Sequence, residues 1–337
     1  MKKTIKDIAE MTGVSPGTVS KVINGYTDVG EETRQRILDV MKQVGYKTKT
    51  KAKKKVIGVI YGVRVDFNHP FFADVINTIS KEIGLLGYDL MFFSGQKDNG
   101  QKKTDYLLRC KEAQVDGCII IGGDEIQQAV HELDQSDIPC IGIDIKLTGN
   151  CSGFVMTDNF NLGKKVVEHF YLLGHREVAY IGGLQATLVG NERTQGFLQA
   201  MSEFGLEVNE KWVEHGDFSE QSGYQSMKKL LAKSGNIPRA LFTASDQMAL
   251  GAIHAIKEHG LKVPEDVAII GCDDIEISRY IEQPLSTMKQ DKQKIGKLAT
   301  HMIVDLINGV MGSSSVIVDS ELVIRSSCGA KLIKKEF

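Results

Sequence analysis

The stretch from Thr4 to Asn24, TIKDIAEMTGVSPGTVSKVIN, has residue types and spacing suited to one kind of chemistry: docking a short helix against a polyanion. Ile5, Ile8 and Ala9 share one helical face, and Val19, Val22 and Ile23 share another at the i, i+3, i+4 spacing. Between them, residues 12–15 read as a turn containing Gly13. Ser15 is a good N-cap, and Pro16 would then sit at N1, where its missing N–H costs nothing. A helix, a tight turn with glycine and a second capped helix is the pattern of a helix-turn-helix, which offers its second helix to a DNA major groove. An ordinary helical hairpin would share that periodicity, so charge has to decide. Residues 1–55 hold 13 Lys/Arg against 6 Asp/Glu, a net of +7, while the remainder holds 28 against 37, a net of −9. A basic amino-terminal piece on an acidic body points to a polyanion partner for that piece alone. A merely solubilising tail fits poorly, because residues 1–46 are patterned for folding.

These groups need elements to hold them. A third helix is expected at about 31–44, with Ile37, Leu38, Met41 and Val44 on its inner face and Gly30 as a weak N-cap. Residues 47–55 follow, with six lysines and no apolar side chain larger than alanine, the composition of a linker or of a segment that orders only on a polyanion. Beyond it, short apolar runs at 56–61, 89–93, 117–121 and 140–143 alternate with helices near 71–86, 101–113 and 125–135. A second series has strands at 178–181, 213–215, 240–243 and 267–270, with helices near 160–173, 191–204, 219–233 and 246–259. Strands alternating with helices make parallel βαβ units, and two such series predict two doubly wound lobes. A helix near 291–308 and strand-like pieces near 316–325 must return to finish them. Ligands of such sheets collect at the carboxyl ends of the strands, and a cleft between two lobes is a favoured place.

Composition narrows the chemistry further. A start of Met-Lys-Lys followed at once by an amphipathic helix predicts no secretory signal peptide, and no run of 18 apolar residues is present to span a membrane. The six cysteines (Cys110, Cys118, Cys140, Cys151, Cys272 and Cys328) lack Cys-x-x-Cys spacing and read as small buried hydrophobes in a reducing, cytoplasmic compartment. The phosphate-binding Gly-rich motifs, His-Glu-x-x-His and Gly-x-Ser-x-Gly are absent, so no nucleotide, metal or triad chemistry is supported and no cofactor is expected. The chain offers a two-lobed cleft without evident catalytic machinery.

At this point three segments resemble the LacI/GalR family of transcription regulators. The first runs from Ile5 through Val19 to Asn24 and on through Glu32-Thr-Arg34 and Gly45-Tyr46. The second is 173–183 with 192–197; the third comprises 245–252, 263–267, 271–274 and 287–291. The resemblance implies an all-α helix-turn-helix headpiece followed by a two-lobed α/β core like the type I periplasmic sugar-binding proteins. Expected boundaries are 1–46 for the headpiece, 47–55 for a shortened lysine-rich hinge, and 56–330 for an effector-binding and dimerisation core. Lobe 1 is expected at about 56–157 plus 288–312, and lobe 2 at about 158–287 plus 313–330. The resemblance also places the family's base-reading positions on Pro16 and Gly17, with Lys21 one turn on. Neither Pro16 nor Gly17 has a side-chain donor, so bidentate base recognition is closed to them, and Lys21 can reach a guanine edge only as a point charge. Thr4, Ser15, Thr18, Asn24 and Thr33 are short polar groups suited to phosphates. The linker departs from the family pattern, with Thr48-Lys49 where Pro-Asn is usual and no leucine between Leu38 and Leu85 to wedge a base step. Lys51 and Lys53 are therefore expected to bind electrostatically, with strong salt dependence and less DNA bending.

In the core, the resemblance implies an effector shell of His69, Phe71, Phe72, Asp144, Arg193, Phe218, Ser245, Asp273 and Gln290. Planar polar groups that bond paired hydroxyls, with aromatic faces for ring C–H groups, are what sugar recognition requires. Asp246 and Asp274 are expected to cap turns and helices instead. The resulting expectation is a non-enzymatic, cytoplasmic regulator, a repressor working as a homodimer on double-stranded operator DNA. A small sugar-like metabolite between the lobes would control it. A purine-like effector is the alternative within the family, since stacking aromatics and Arg193 also suit a base. A sugar-binding protein without a regulatory role is the alternative outside it.

Overall fold

The computed structural model describes residues 3–24, 26, 28–46, 55–62, 69–94, 104–122, 124–233 and 238–330. The chain divides into two compact units, residues 1–54 and residues 55–337. In the first, α1 (Ile5–Thr12) begins with a capping box: the Thr4 hydroxyl accepts from the Asp7 N–H, and the Asp7 carboxylate accepts from the Thr4 N–H at 2.7 Å. Gly13, at φ +68°, ends the helix in the left-handed region that glycine enters at little cost. Ser15 caps α2 (Pro16–Ile23), accepting from the Thr18 N–H at 3.1 Å, with Pro16 at N1. The third helix, α3 (Glu31–Gln43), starts at Gly30 with no side-chain cap bond. Ile8, Ala9, Val19, Val22, Ile37 and Met41 form the buried core of this unit. Leu38, expected on the inner face, is instead 43% exposed: Ile37 and Met41 already fill the i, i+4 row that meets α1 and α2.

The second unit has two six-stranded sheets. Its amino-terminal half runs β1 (Val56–Tyr61), α4 (Pro70–Leu85), β2 (Asp89–Phe93), α5 (Tyr106–Ala113), β3 (Gly117–Ile121), α6 (Asp124–Asp134), β4 (Cys140–Ile143) and β5 (Ser152–Thr157). There follow α7 (Asn159–Leu172), β6 (Val178–Gly182), α8 (Leu188–Glu203), β7 (Val213–His215), α9 (Glu220–Lys233), β8 (Ala240–Thr243), α10 (Asp246–Glu258), β9 (Ala268–Cys272) and β10 (Ser286–Lys289). Last come α11 (Lys292–Ile307), β11 (Ser315–Val318) and β12 (Glu321–Val323). Sheet 1 has the order β11-β5-β4-β3-β1-β2 and sheet 2 the order β12-β10-β9-β8-β6-β7. All pairings are parallel except β10 with β12.

The period-2 rule is visible in sheet 1. Ile57, Val59, Ile119 and Ile121 face the α4–α11 side, while Ile60, Cys118 and Ile120 face the α5–α6 side. A sheet covered on both faces buries near-continuous apolar runs, which is why those strands read so clearly. The chain passes between the lobes three times: between β5 and α7, between β10 and α11, and between β11 and β12. This corrects the expected boundaries at two places. Met288 and Lys289 belong to sheet 2, where Met288 pairs with Cys272, so the second crossing lies after Lys289. Ser315–Val318 adds to the edge of sheet 1 beside β5, so it does not finish lobe 2; only Glu321–Val323 does. The pieces read as one strand-like run because only Asp319 and Ser320 separate them.

Candidate functional site

Between the two lobes lies a cleft with an empty volume of about 760 Å³, its open mouth included. The carboxyl end of β4 delivers Asp144 at φ +57°, and the end of β9 delivers Asp273 and Asp274 at φ +123° and +49°. Phe218, between β7 and α9, is at φ +71°. Side chains rarely tolerate this region, and its cost of about 1–3 kcal/mol per residue persists only where the surroundings over-determine it. Three of these residues, Asp144, Phe218 and Asp273, line one cleft and mark it as the functional part of the core.

Arg193 is the centre of the lobe-2 wall and is 3% exposed. Its Nε donates to Asn159 Oδ1 at 2.9 Å and its Nη1 to the Ala244 carbonyl at 2.5 Å. Its position depends on two glycines where α7 and α8 touch backbone to backbone. A Cβ on Gly163 would strike the Arg193 carbonyl oxygen, and one on Gly196 the Phe160 carbonyl oxygen. The guanidinium lies 6.0 Å from the Phe218 ring centroid. That ring in turn rests where only Gly183 leaves room for it.

The polar groups are hydrogen-bonded in local sets, with a gap at one carboxylate. Gln290, on the crossing after β10, accepts from Thr157 Oγ1 at 2.6 Å and donates through Nε2 to Asp273 Oδ1 at 2.6 Å. Ser245 donates to the Phe218 carbonyl at 3.0 Å and caps α10 by accepting from the Met248 N–H at 3.1 Å. It therefore positions the Phe218 loop. Asp144 is the gap: it is buried, and its Oδ1 has no hydrogen-bond partner. Burial pushes its carboxyl up to about 6; Arg193 acts against that rise, and Asp273 and Glu192 add to it. Near the cleft rim, Lys146 Nζ of lobe 1 meets Glu192 Oε1 of lobe 2 at 2.9 Å.

All nine residues of the expected effector shell border this cleft. Phe71 does so differently from expectation. It is 3% exposed and packed in the lobe-1 core, edge-on to Phe72 at 5.2 Å, so Phe72 is the freer aromatic wall. His69 precedes α4 and lies 5.2 Å from the Phe72 ring. Leu184, Thr187, Val189 and Asp217 also line the cleft and were not anticipated. Leu184 and Val189 carry no chemistry to notice, and Thr187 and Asp217 satisfy local caps, Thr187 accepting from the Gly190 N–H and Asp217 from Ser219. Asn159, the partner of Arg193, was missed as well. Asp246 is not a helix cap: Ser245 fills that role, and Asp246 accepts from Thr287, Ser278 and the Ile275 N–H. Burial and the facing Asp273 hold its carboxyl above the ordinary range despite those bonds. Asp274 pairs with Arg279 at 2.8 Å and with Arg325.

In the amino-terminal unit the expected phosphate contacts are exposed or half-buried and locally satisfied. Ser15 Oγ and Thr18 Oγ1 lie 2.9 Å apart, and Asn24 Nδ2 donates to Ser20 Oγ at 3.3 Å. Lys21 pairs with Asp28 at 2.5 Å. Thr33 is half-buried in the first turn of α3. Lys51 and Lys53 lie outside the described residues.

Comparison with known proteins follows the same division. Residues 4–49 match the family described as bacterial regulatory proteins, lacI family, and residues 167–328 match a periplasmic binding protein-like domain. The chain is 33% identical over 337 residues to the HTH-type transcriptional repressor PurR of Pasteurella multocida (strain Pm70), covering 98% of this chain and 99% of that one. It is 34% identical over 335 residues to PurR of Haemophilus influenzae (strain PittEE), covering 96% and 98%. Among solved structures it is similar to a transcriptional regulator CelR–cellobiose complex, with a TM-score of 0.72 at 27% identity over 96% of this chain and 99% of that chain. It is also similar to the lac repressor dimer bound to operator and the anti-inducer ONPF, with a TM-score of 0.73 at 25% identity over 97% and 99%.

Proposed function

We propose, because this chain belongs to the lacI family of bacterial regulatory proteins and is a DNA-binding repressor with an effector-binding core, that its effector is a small neutral sugar or sugar-like metabolite. The observation that carries this reading is Asp144, a buried carboxylate with an unpartnered oxygen at the wall of the cleft. A hydroxyl donor would satisfy it. Asp273 and Gln290 supply further planar acceptors and donors, and Phe72 and Phe218 supply apolar faces for ring C–H groups. A strongly anionic ligand fits less well, because Asp144 and Asp273 face a single Arg193. The similar CelR structure holds a cellobiose, which agrees with this choice. A purine-like effector is the second reading, favoured by the relatives named PurR and by the stacking surface of Phe72 and Phe218.

The protein would act in the cytoplasm as a C2 dimer, since two half-sites one helical turn apart need two headpieces. Ligand in the cleft would bias how the lobes close, and by linkage DNA would change effector affinity by the same factor. The test is a thermal-shift screen of neutral sugars, sugar phosphates and purines on the full-length protein, followed by DNA binding with each hit. A neutral sugar at a hundred times its Kd should stabilise the protein by about 2.7 kcal/mol and change operator affinity. A purine that does so alone replaces the sugar reading. A hit that stabilises the protein without altering DNA affinity removes the allosteric one.

A further inference from the structure

We infer that Asp28 is a specificity-determining positioning residue of the DNA-binding surface, one that keeps Lys21 from serving as a free phosphate anchor on non-operator DNA. Lys21 is the one charged residue of α2. Of the other groups on that helix, Pro16 and Gly17 have no side-chain donor, and Thr18 is engaged with Ser15. What α2 can contribute by charge therefore rests on one ammonium. Asp28, in the turn before α3, holds it at 2.5 Å, and the two side chains are 53% and 55% exposed. The bond raises the Lys21 ammonium's own proton affinity and lowers that of Asp28. Arg34 also acts on Asp28 through its charge, but its own bonds go to the Tyr26 carbonyl and to Glu31, so the direct partner of Asp28 is Lys21.

The consequence follows from how a duplex attracts cations. A free lysine gains affinity at any phosphate it meets, because each contact releases a condensed counterion, and that gain is blind to sequence. A lysine already neutralised by an attached carboxylate releases less, and Asp28 brought to the backbone is itself repelled by phosphate. An ammonium has three donors, so a Lys21 held by Asp28 retains two for a base edge such as guanine O6 and N7. Asp28 thus penalises the phosphate mode and leaves the base-edge mode open. In a helix whose first turn lacks base-reading side chains, this is a way to recover discrimination by weakening the wrong sites. The inference concerns the headpiece only and is independent of which effector the cleft takes.

The experiment uses the full-length chain on two duplexes of equal length and composition across a salt series. One is enriched by the wild-type protein from a random-sequence pool, and the other is its scrambled counterpart. Asp28→Asn should raise affinity for the scrambled duplex about fivefold and steepen its log–log salt slope by about one ion, while the ratio of enriched to scrambled affinity falls. Asp28→Glu should behave as wild type. In a Lys21→Ala background the Asp28→Asn gain should vanish. An unchanged salt slope on the scrambled duplex overturns the proposal, and so does an equal gain in the Lys21→Ala background, which would be a bulk charge effect. The scrambled-duplex arm decides alone even if the pool yields no single sequence.

Discussion

The headpiece and the cleft treat their polar side chains in opposite ways. In the headpiece Thr4, Ser15, Thr18, Lys21 and Asn24 are solvent-exposed or nearly so, and each already has a partner a few residues away in the chain. Nothing there is costly to leave without DNA. In the cleft Asp144, Arg193, Asp273 and Gln290 are buried, their partners come from distant parts of the chain, and one carboxylate oxygen has none. A surface for a long polyanion gathers its affinity from many weak, interchangeable contacts, so it can be exposed and locally satisfied. A pocket for a small molecule must discriminate with few contacts, so each is desolvated and incomplete until the ligand arrives.

The sharpest test of that contrast removes one positive charge from each region. Arg193→Met should cost about 3–5 kcal/mol and lower the core melting temperature by roughly 10 °C, because Asn159 and the Ala244 carbonyl lose their buried donor and two nearby carboxylates lose the positive charge beside them. Lys21→Ala should leave melting within about 0.5 kcal/mol of wild type yet weaken DNA binding in a filter or anisotropy assay. If both variants melt alike, the contrast fails.

Asp144→Asn probes the unpartnered carboxylate. A folded value of about 6 against 3.8 means that the folded protein holds this proton longer than the unfolded chain. Asp144 therefore costs nothing below its unfolded value and destabilises increasingly as pH rises through about 6. The variant should be more stable than wild type by about 2–3 kcal/mol at neutral pH. That advantage should shrink as pH falls from about 6 to 4 in paired thermal melts. Ligand stabilisation should fall in the same variant. A stability gain without loss of ligand response would detach Asp144 from the site.

Smaller effects complete the series. Ser15→Ala removes the α2 cap and should cost about 1 kcal/mol, read as faster amide exchange in α2 with cleft protection unchanged. The Lys146–Glu192 pair spans the lobes but is 43% and 26% exposed, so a double-mutant cycle of Lys146→Met and Glu192→Gln should find less than about 1 kcal/mol of coupling. In that respect the rim of the cleft should resemble the headpiece; a larger coupling would extend the buried regime to the rim.

Legibility followed apolar composition rather than burial. The strands 56–61, 117–121, 140–143 and 240–243 were readable to the residue, because strands covered on both faces write unbroken apolar runs, and the largely exposed edge strand 89–93 was readable because four of its five residues are apolar. Ser152–Thr157 went unseen: Ser152 and Gly153 interrupt the run, and Gly153 is there because Ser314 lies against it. Ser286–Lys289 was hidden by its polar composition, although Ser286 and Thr287 are fully buried and bonded to Ser327 and Asp246. The helix expected near 101–113 begins at Tyr106 among the described residues, with Asp105 as its cap. In the cleft, residues with obvious donors or rings were legible through resemblance, whereas Asn159 was not, since its role exists only once α7 meets α8. Likewise nothing in the sequence near Lys21 announces that Asp28, seven positions on, will reach back to it.

The late position of α11 has a consequence for how the chain is made. Ile295, Ala299, Met302 and Ile303 cover one face of sheet 1, the face carrying Ile57, Ile119 and Ile141. Synthesis from the amino terminus therefore produces the first five strands of the molecule well before the helix that shields them. During that interval an apolar sheet face is open to the surroundings, and such faces are where nascent chains associate wrongly. Lobe 2, by contrast, has its helices and most of its strands in sequence order before α11 emerges. On a ribosome the second lobe can close first and the first lobe last, so the window of greatest exposure to chaperones belongs to residues 56–157.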